Sequence, residues 1–364
     1  MPRTKSKITI AAVQAAPVSF DLPATLAKLE DLISKASASA SADEAKRPDL
    51  VVLPEAFLSA YPRFLDFQIG TRSTESREWF ARYVKSSVKI PLDAISSDWI
   101  SDKPIYEQDQ DDFWAFQRLC LIAKKHQIYL SIGVVERELI GSTLYCTNLL
   151  FSPSGRLLSK HRKLQPTAAE RIVWHQGDDT NPAAPATRDE KGEERQARDD
   201  NLPVVETKIG KIGGLICWEN FMPLARYQLY RKGVEIYTAP TADSRPTWLP
   251  AMQHIAQEGR CFVISVNQYH APSDFPADYP PSLALSESEK AENKPWSRGG
   301  SSIVGPLGEV LAGPLWDKEG ILTAEIDLDT LHGARLDFDA AGHYSRHDMM
   351  VNLLNKPAYS SKEE

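Results

Sequence analysis

Three polar residues stand directly behind apolar runs. Glu55 follows "DLVVLP", Lys163 follows "GRLLSKHR" and Cys217 follows "KIGGLI". Open α/β sheets carry their chemistry beyond the carboxyl ends of the strands, so these positions are where reactive side chains belong. Singly, each has a bland role: a cysteine at a strand end packs as a small hydrophobe, a glutamate there is a loop acid, and the lysine of "KHRK" lies on a solvated basic edge. Together they form a set, namely a thiol nucleophile, a carboxylate base and a cation for developing negative charge. A thiol of ordinary pKa is mostly protonated at neutral pH, so it needs a proton acceptor or a positive field beside it. Glu55 supplies the acceptor and Lys163 the charge. If "ENFMPLARYQLYRKG" continues as a helix directly after Cys217, the helix dipole adds to that field. Trp218 reads as packing that orders the cysteine turn, Glu219 as a first-turn acid and Asn220 as its cap partner.

Those three residues have to be positioned by strands, and the chain has many. Strand-like runs recur as "KITIAAVQ", "DLVVLPE", "IYLSIGVVE", "LYCTNLLFSP", "KIGGLICW", "VEIYTAP", "CFVISVN", "SSIVGP" and "GILTAEIDL". Helical patterns lie between several of them. In "DLPATLAKLEDLISKA", Leu22, Leu26, Leu29 and Ile33 share a face, with Asp21 as cap and Pro23 in the first turn. "DDFWAFQRLCLIAKKH" sets Phe113, Phe116, Leu119, Cys120 and Ala123 on one face, and "TWLPAMQHIAQEG" stops at Gly259. Runs that are apolar throughout predict strands buried on both faces, hence a layered α/β sandwich. The turns in "TNLLFSPSGRLLSK" and "SSIVGPLGEVLAG" predict hairpins, so the sheets are mixed.

Two stretches break the pattern. Residues 178–201, "DDTNPAAPATRDEKGEERQARDDN", are crowded with charge and without apolar periodicity, which predicts a mobile surface insertion. "YHAPSDFPADYPPSLALSESEKAENKPWSRGG" is long and proline-rich, but Tyr269, Phe275, Tyr279 and Trp296 can anchor it over a site.

Composition narrows the classes of function. The 364 residues are 42% hydrophobic and 25% charged, and no apolar run is long enough to span a bilayer. A net charge of −7 offers no general attraction to nucleic acid or anionic membrane, which leaves small-molecule chemistry. Cys120, Cys146, Cys217 and Cys261 are scattered, with neither zinc-like spacing nor a disulfide framework, as expected for a reducing, cytoplasmic compartment. "MPRTKSKITIAAVQAAP" has too short an apolar part for a secretory signal and reads as a first strand.

Three ordered blocks, "LPEAFLSAYP", "KHRKLQPTAAERIVW" and "GGLICWENFMPLARY", resemble the signatures of the nitrilase branch of the carbon–nitrogen hydrolase superfamily. "GVEIYTAPTADSRPTW", "HIAQEGRCFVISVNQ" and "GHYSRHD" extend the resemblance over nearly the whole chain. It implies a single domain over residues 1–364 with a short C-terminal tail, folded as a four-layer αββα sandwich with mixed β-sheets. It maps the family's Glu-Lys-Cys triad onto Glu55, Lys163 and Cys217, and a further acid onto Glu170, with no cofactor or metal. The expected reaction is hydrolysis of an organic nitrile to the acid and ammonia through a cysteine thioimidate and thioester. An amidase, a hydratase that stops at the amide and a silent oligomeric scaffold are the alternatives. The resemblance also implies a homo-oligomer, either a dimer or a longer spiral. His175 and Asp179 depart from the pattern where glycines are expected. Trp174, close behind Lys163 and Glu170, is expected to wall the substrate cavity, and Trp218 to flank it.

Overall fold

The computed structural model describes residues 5–38, 47–68, 70–178 and 201–354, together with 187–188 and 194–195. Strands β1 (Lys7–Gln14), β2 (Leu50–Val52), β3 (Val88–Lys89), β4 (Tyr129–Arg137), β5 (Leu144–Phe151) and β6 (Leu157–Arg162) belong to a first sheet. β7 (Thr187–Arg188) and β8 (Glu194–Arg195) form a separate ladder. A second sheet takes β9 (Val204–Thr207), β10 (Gly210–Gly214), β11 (Ile236–Thr241), β12 (Phe262–Asn267), β13 (Tyr269–His270), β14 (Ser297–Val304) and β15 (Val310–Trp316). Finally β16 (Gly320–Asp327) crosses back to run antiparallel to β1 along its whole length. The helices used below are α1 (Leu22–Ala38), α2 (Thr74–Lys85), α3 (Trp114–His126), α4 (Pro223–Arg231) and α5 (Trp248–Gly259).

The order β16-β1-β2-β4-β5-β6 of the first sheet mixes parallel and antiparallel neighbours, as does β13-β14-β12-β11-β10-β9 in the second. The period-2 geometry of a strand explains the layering. Along β1, Ala11 and Val13 face the cluster built with α1 and α3, while Ile8, Ile10 and Ala12 face the cluster between the two sheets. On the far side of the second sheet, Leu229, Tyr230, Met252 and Ile255 of α4 and α5 pack on Tyr237 and Val263. The result is the expected four-layer αββα sandwich, with β5–β6 and β14–β15 as the expected hairpins.

Asp21 caps α1 by accepting from the Ala24 amide (2.9 Å). α5 stops at Gly259 as expected, followed by Arg260 in the left-handed conformation (φ 44°). Gly259 serves a different need, because a Cβ there would lie 2.4 Å from the Tyr230 ring. Most of the predicted insertion at 178–201, and the tail beyond Leu354, lie outside the described residues.

Candidate active site

Glu55 is presented by an interruption in the sheet. After β2 the chain keeps the ladder with Leu53 N–H donating to Ser131 O, leaves it, and rejoins with Leu58 N–H donating to Gly133 O. Residues 54–57 arch over the gap directly against Gly133. A Cβ at Gly133 would sit 2.3 Å from Pro54 O and 2.7 Å from the Glu55 Cα, so glycine is what lets the arch close on β4. Ala56 in the arch has φ 49°, a costly left-handed conformation for a non-glycine residue. The Gln268 amide donates to Glu55 O (2.9 Å) and ties the arch to the second sheet.

Lys163 follows β6, and its side chain is completely enclosed. Its Nζ donates to Glu55 Oε1 (2.6 Å) and to Glu170 Oε2 (2.7 Å). Glu170 lies in a short 3₁₀ turn, Ala168–Ile172, where Oε2 also accepts from the Thr167 amide (2.7 Å) and Oε1 accepts from Tyr61 OH (2.7 Å). Cys217 opens a second 3₁₀ turn, Cys217–Phe221, at φ 51°. Thr241 Oγ1, at the end of β11, donates to its sulfur (3.2 Å). The structure thus brings Glu55, Lys163, Glu170 and Cys217, spread over more than 160 positions of sequence, into one buried cluster.

One expectation about the cysteine is corrected. The helix predicted to start right after it, α4, begins only at Pro223, with the 3₁₀ turn between. The thiol pKa is pushed up rather than down, chiefly by burial and then by the Glu55 carboxylate, with Lys163 opposing. Burial, partly offset by Lys163, also raises Glu55. Burial alone would discharge Lys163, but Glu55, then Cys217 and Glu170, hold its pKa well above the ordinary value. Lys163 is therefore held as an ammonium between Glu55 and Glu170, beside a neutral thiol. Glu55 Oε2 is enclosed and has no hydrogen-bond partner among the described residues, leaving one open acceptor on the proposed base.

A cavity of about 280 Å³ opens onto Cys217, lined by Tyr61, Glu170, Trp218, Ala242, Asp243 and Arg245 among others. Trp218 flanks it, with its indole N–H on Asp243 (2.9 Å) and the Arg245 guanidinium over its ring. Trp174 does not line this cavity. It is buried, donates to Tyr83 OH (3.1 Å) and meets the Tyr61 ring edge-on, lining a neighbouring space of about 360 Å³ that shares Tyr61 and Glu170. His175 is exposed, and the backbone constraint falls on Gly177, where a Cβ would meet Arg162 O at 2.3 Å.

Several residues escaped the sequence reading. Cys146 does more than pack, since its thiol donates to Glu55 Oε1 (3.5 Å). Arg63 is a buried cation beside the cluster, with long contacts to Ala242 O and its guanidinium 5.1 Å from the Tyr61 ring centroid. Tyr61 holds Glu170. The one available signal was position, because Tyr61 stands in the same block as Glu55 and Arg63 directly after it. The proline-rich segment packs as predicted: Phe275 stacks on Tyr279, whose OH donates to Arg63 O (2.7 Å).

The carbon–nitrogen hydrolase family matches residues 9–336. Among known relatives, Nitrilase 2 of Arabidopsis thaliana is 40% identical over 347 residues, covering 94% of this chain and 87% of that protein. The bifunctional nitrilase/nitrile hydratase NIT4A of Lupinus angustifolius is 41% identical over 343 residues, covering 93% and 83%. In fold, the chain is similar to Nit3 of Saccharomyces cerevisiae, a member of branch 10 of the nitrilase superfamily (TM-score 0.62, 21% identity, 93% of this chain and 97% of that one).

Proposed function

The chain belongs to the carbon–nitrogen hydrolase family, and on that premise we propose that it is a nitrilase, hydrolysing an organic nitrile to the carboxylic acid and ammonia. The observation that carries this reading is the Glu55–Lys163–Glu170 cluster at Cys217, in a chain about 40% identical to nitrilases over nearly its whole length.

Glu55 takes the thiol proton on its open Oε2 as the sulfur forms a bond to the nitrile carbon. One π pair of the triple bond passes to nitrogen, which is protonated, and a thioimidate results. Because the thiol pKa is raised, proton removal accompanies attack instead of preceding it. Lys163 stabilises the negative charge that develops, from a buried position where its charge is little screened. Water then adds to the thioimidate carbon, and the C–N bond breaks to release ammonia and leave a thioester. A second water, activated by the carboxylate, breaks the C–S bond, releases the acid and restores the thiol. Glu170 orients Lys163, and Tyr61 and the Thr167 amide hold Glu170.

The naming of the lupin relative supports a minor amide product. At the same tetrahedral stage, breaking C–S instead of C–N would release the amide. A homo-oligomer also belongs to this reading, supported by Phe221, Met222 and Leu224, which expose an apolar edge beside α4. The four free, buried cysteines fit a cytoplasmic location.

A panel of aromatic, arylaliphatic and aliphatic nitriles, with their amides, tests the proposal by ammonia, acid and amide released. Ammonia matched by acid is expected for at least one nitrile. Turnover of amides alone would make the protein an amidase, and turnover of neither would leave the silent scaffold.

A further inference from the structure

Glu219, two residues beyond Cys217, is not a solvated first-turn acid. Its side chain is fully enclosed and lies between the segments that carry the nucleophile and the lysine. Oε2 accepts from the amide of Ile216, the residue before Cys217 (2.7 Å). Oε1 accepts from the amide of Leu164, the residue after Lys163 (2.5 Å). Oε2 also faces His161 Nε2 (2.9 Å), on β6 two residues before Lys163.

The histidine's other partner sets its charge. His161 Nδ1 bonds to the backbone carbonyl of Asn201, which can only accept, while Nε2 faces a carboxylate. Both ring nitrogens therefore carry protons, and the buried imidazolium balances the buried carboxylate. Asn201 in turn brackets the Arg162 backbone, its Oδ1 accepting from Arg162 N–H (2.8 Å) and its Nδ2 donating to Arg162 O (2.7 Å).

We propose that Glu219 is a positioning residue, a single carboxylate that locks the backbone before Cys217 to the backbone after Lys163, itself held by protonated His161. The requirement is specific to glutamate. Glutamine would turn an N–H group toward either the Leu164 amide or the Ile216 amide, donor against donor. Aspartate is shorter by one C–C bond, roughly 1.5 Å, and cannot span both amides. Misplacing reacting groups by about 1 Å can cost on the order of 10²-fold in rate, so the lock acts on turnover more than on substrate affinity.

The inference rests on the Cys217–Lys163 reading above, and its test uses whichever nitrile or amide the wild type hydrolyses, so that failure of nitrile hydrolysis and failure of the lock are separate results. Glu219→Gln is expected to lower kcat about 10²-fold with KM within about threefold and with near-native circular dichroism. His161→Gln keeps an N–H donor toward Oε2 and is expected to lose less than about tenfold, a partial rescue that a purely structural role would not produce. A folded Glu219→Gln enzyme with kcat near wild type would overturn the proposal, as would a loss confined to KM. If Glu219→Gln does not fold, His161→Gln and Glu219→Asp decide: a His161→Gln loss smaller than that of Glu219→Asp supports the lock, and an equal or greater loss overturns it.

Discussion

Lys163 Nζ lies 2.6 Å from Glu55 Oε1, and neither side chain has any solvent-exposed surface. A buried pair of this kind carries a large desolvation cost, which its mutual attraction repays only when the remaining hydrogen-bonding groups are also satisfied. Lys163 meets that condition through Glu170, but Glu55 keeps one oxygen open. That asymmetry leaves Glu55 an acceptor for the proton transfer proposed for it.

Breaking the pair from either side should harm both activity and stability. Glu55→Gln and Lys163→Met are each expected to cut kcat by roughly 10²- to 10⁴-fold. Lys163→Met, which leaves two carboxylates facing each other in the interior, should also cost about 3–5 kcal/mol in urea unfolding. Steady-state kinetics and denaturation curves on the same preparations check both, and losses of only a few-fold would place the residue outside the site.

Cys217→Ala should abolish turnover and leave the fold intact. Peptide mass mapping of the wild type during turnover should find the substrate adduct on Cys217. Cys146, although it touches Glu55, has a thiol held well above its ordinary pKa, first by burial and then by Glu55, and should stay unmodified. Cys146→Ala should slow the reaction by less than about tenfold, the size of one weak hydrogen bond to a charged group. An adduct confined to Cys146 would reverse the assignment.

Two buried groups set opposite pH limits on stability. His161 has a pKa raised above 6.5: burial opposes the charge, but Glu219 and the Asn201 carbonyl outweigh it. Its contribution is fully present below 6.5 and is lost as pH rises through the folded value. Glu136 is held down to about 2; burial opposes this, but Lys160 and Arg162 prevail. Its contribution is present above the ordinary value of 4.5 and is lost as pH falls toward about 2. It amounts to on the order of 3 kcal/mol. Urea titrations across pH should therefore show the gap between wild type and Glu136→Gln narrowing in acid, and that between wild type and His161→Gln narrowing in base. Parallel curves would contradict the two assignments.

Trp174 was expected in the cavity wall; it does not line the cavity that opens onto Cys217 but the neighbouring space shared with Glu170, edge-on to Tyr61 and with Lys163 Nζ 5.7 Å from its ring centroid. Trp174→Ala should therefore lose about 3–5 kcal/mol of stability as a core truncation. It should change the kcat/KM ratio between a bulky aromatic and a short aliphatic nitrile by less than the 1–3 kcal/mol of a direct wall contact. Trp218→Ala, at the cavity that opens onto Cys217, should show the larger selectivity change of the two. A greater shift from Trp174 would return it to the pocket.

The sequence determined the sandwich because its signals are local and repeated: runs apolar throughout, such as "DLVVL", can bury both faces only between two layers. It also marked the candidate residues, since a carboxylate, a lysine and a cysteine each follow an apolar run and sit in recognisable blocks. The tertiary structure decided what lies between those blocks. Asp21 capped α1 as read because a cap is settled within three residues. The later start of α4 and the close packing of Gly259 on Tyr230 were not legible, because they depend on contacts with other segments. Glu219 is the clearest case. By sequence it is an acid in a helix start, whereas in the fold its two oxygens meet amides and an imidazole brought from β6 and from the cysteine turn. Hydrogen-bond partners separated by more than 50 positions leave no periodic trace in a chain. A buried carboxylate is defined by those partners.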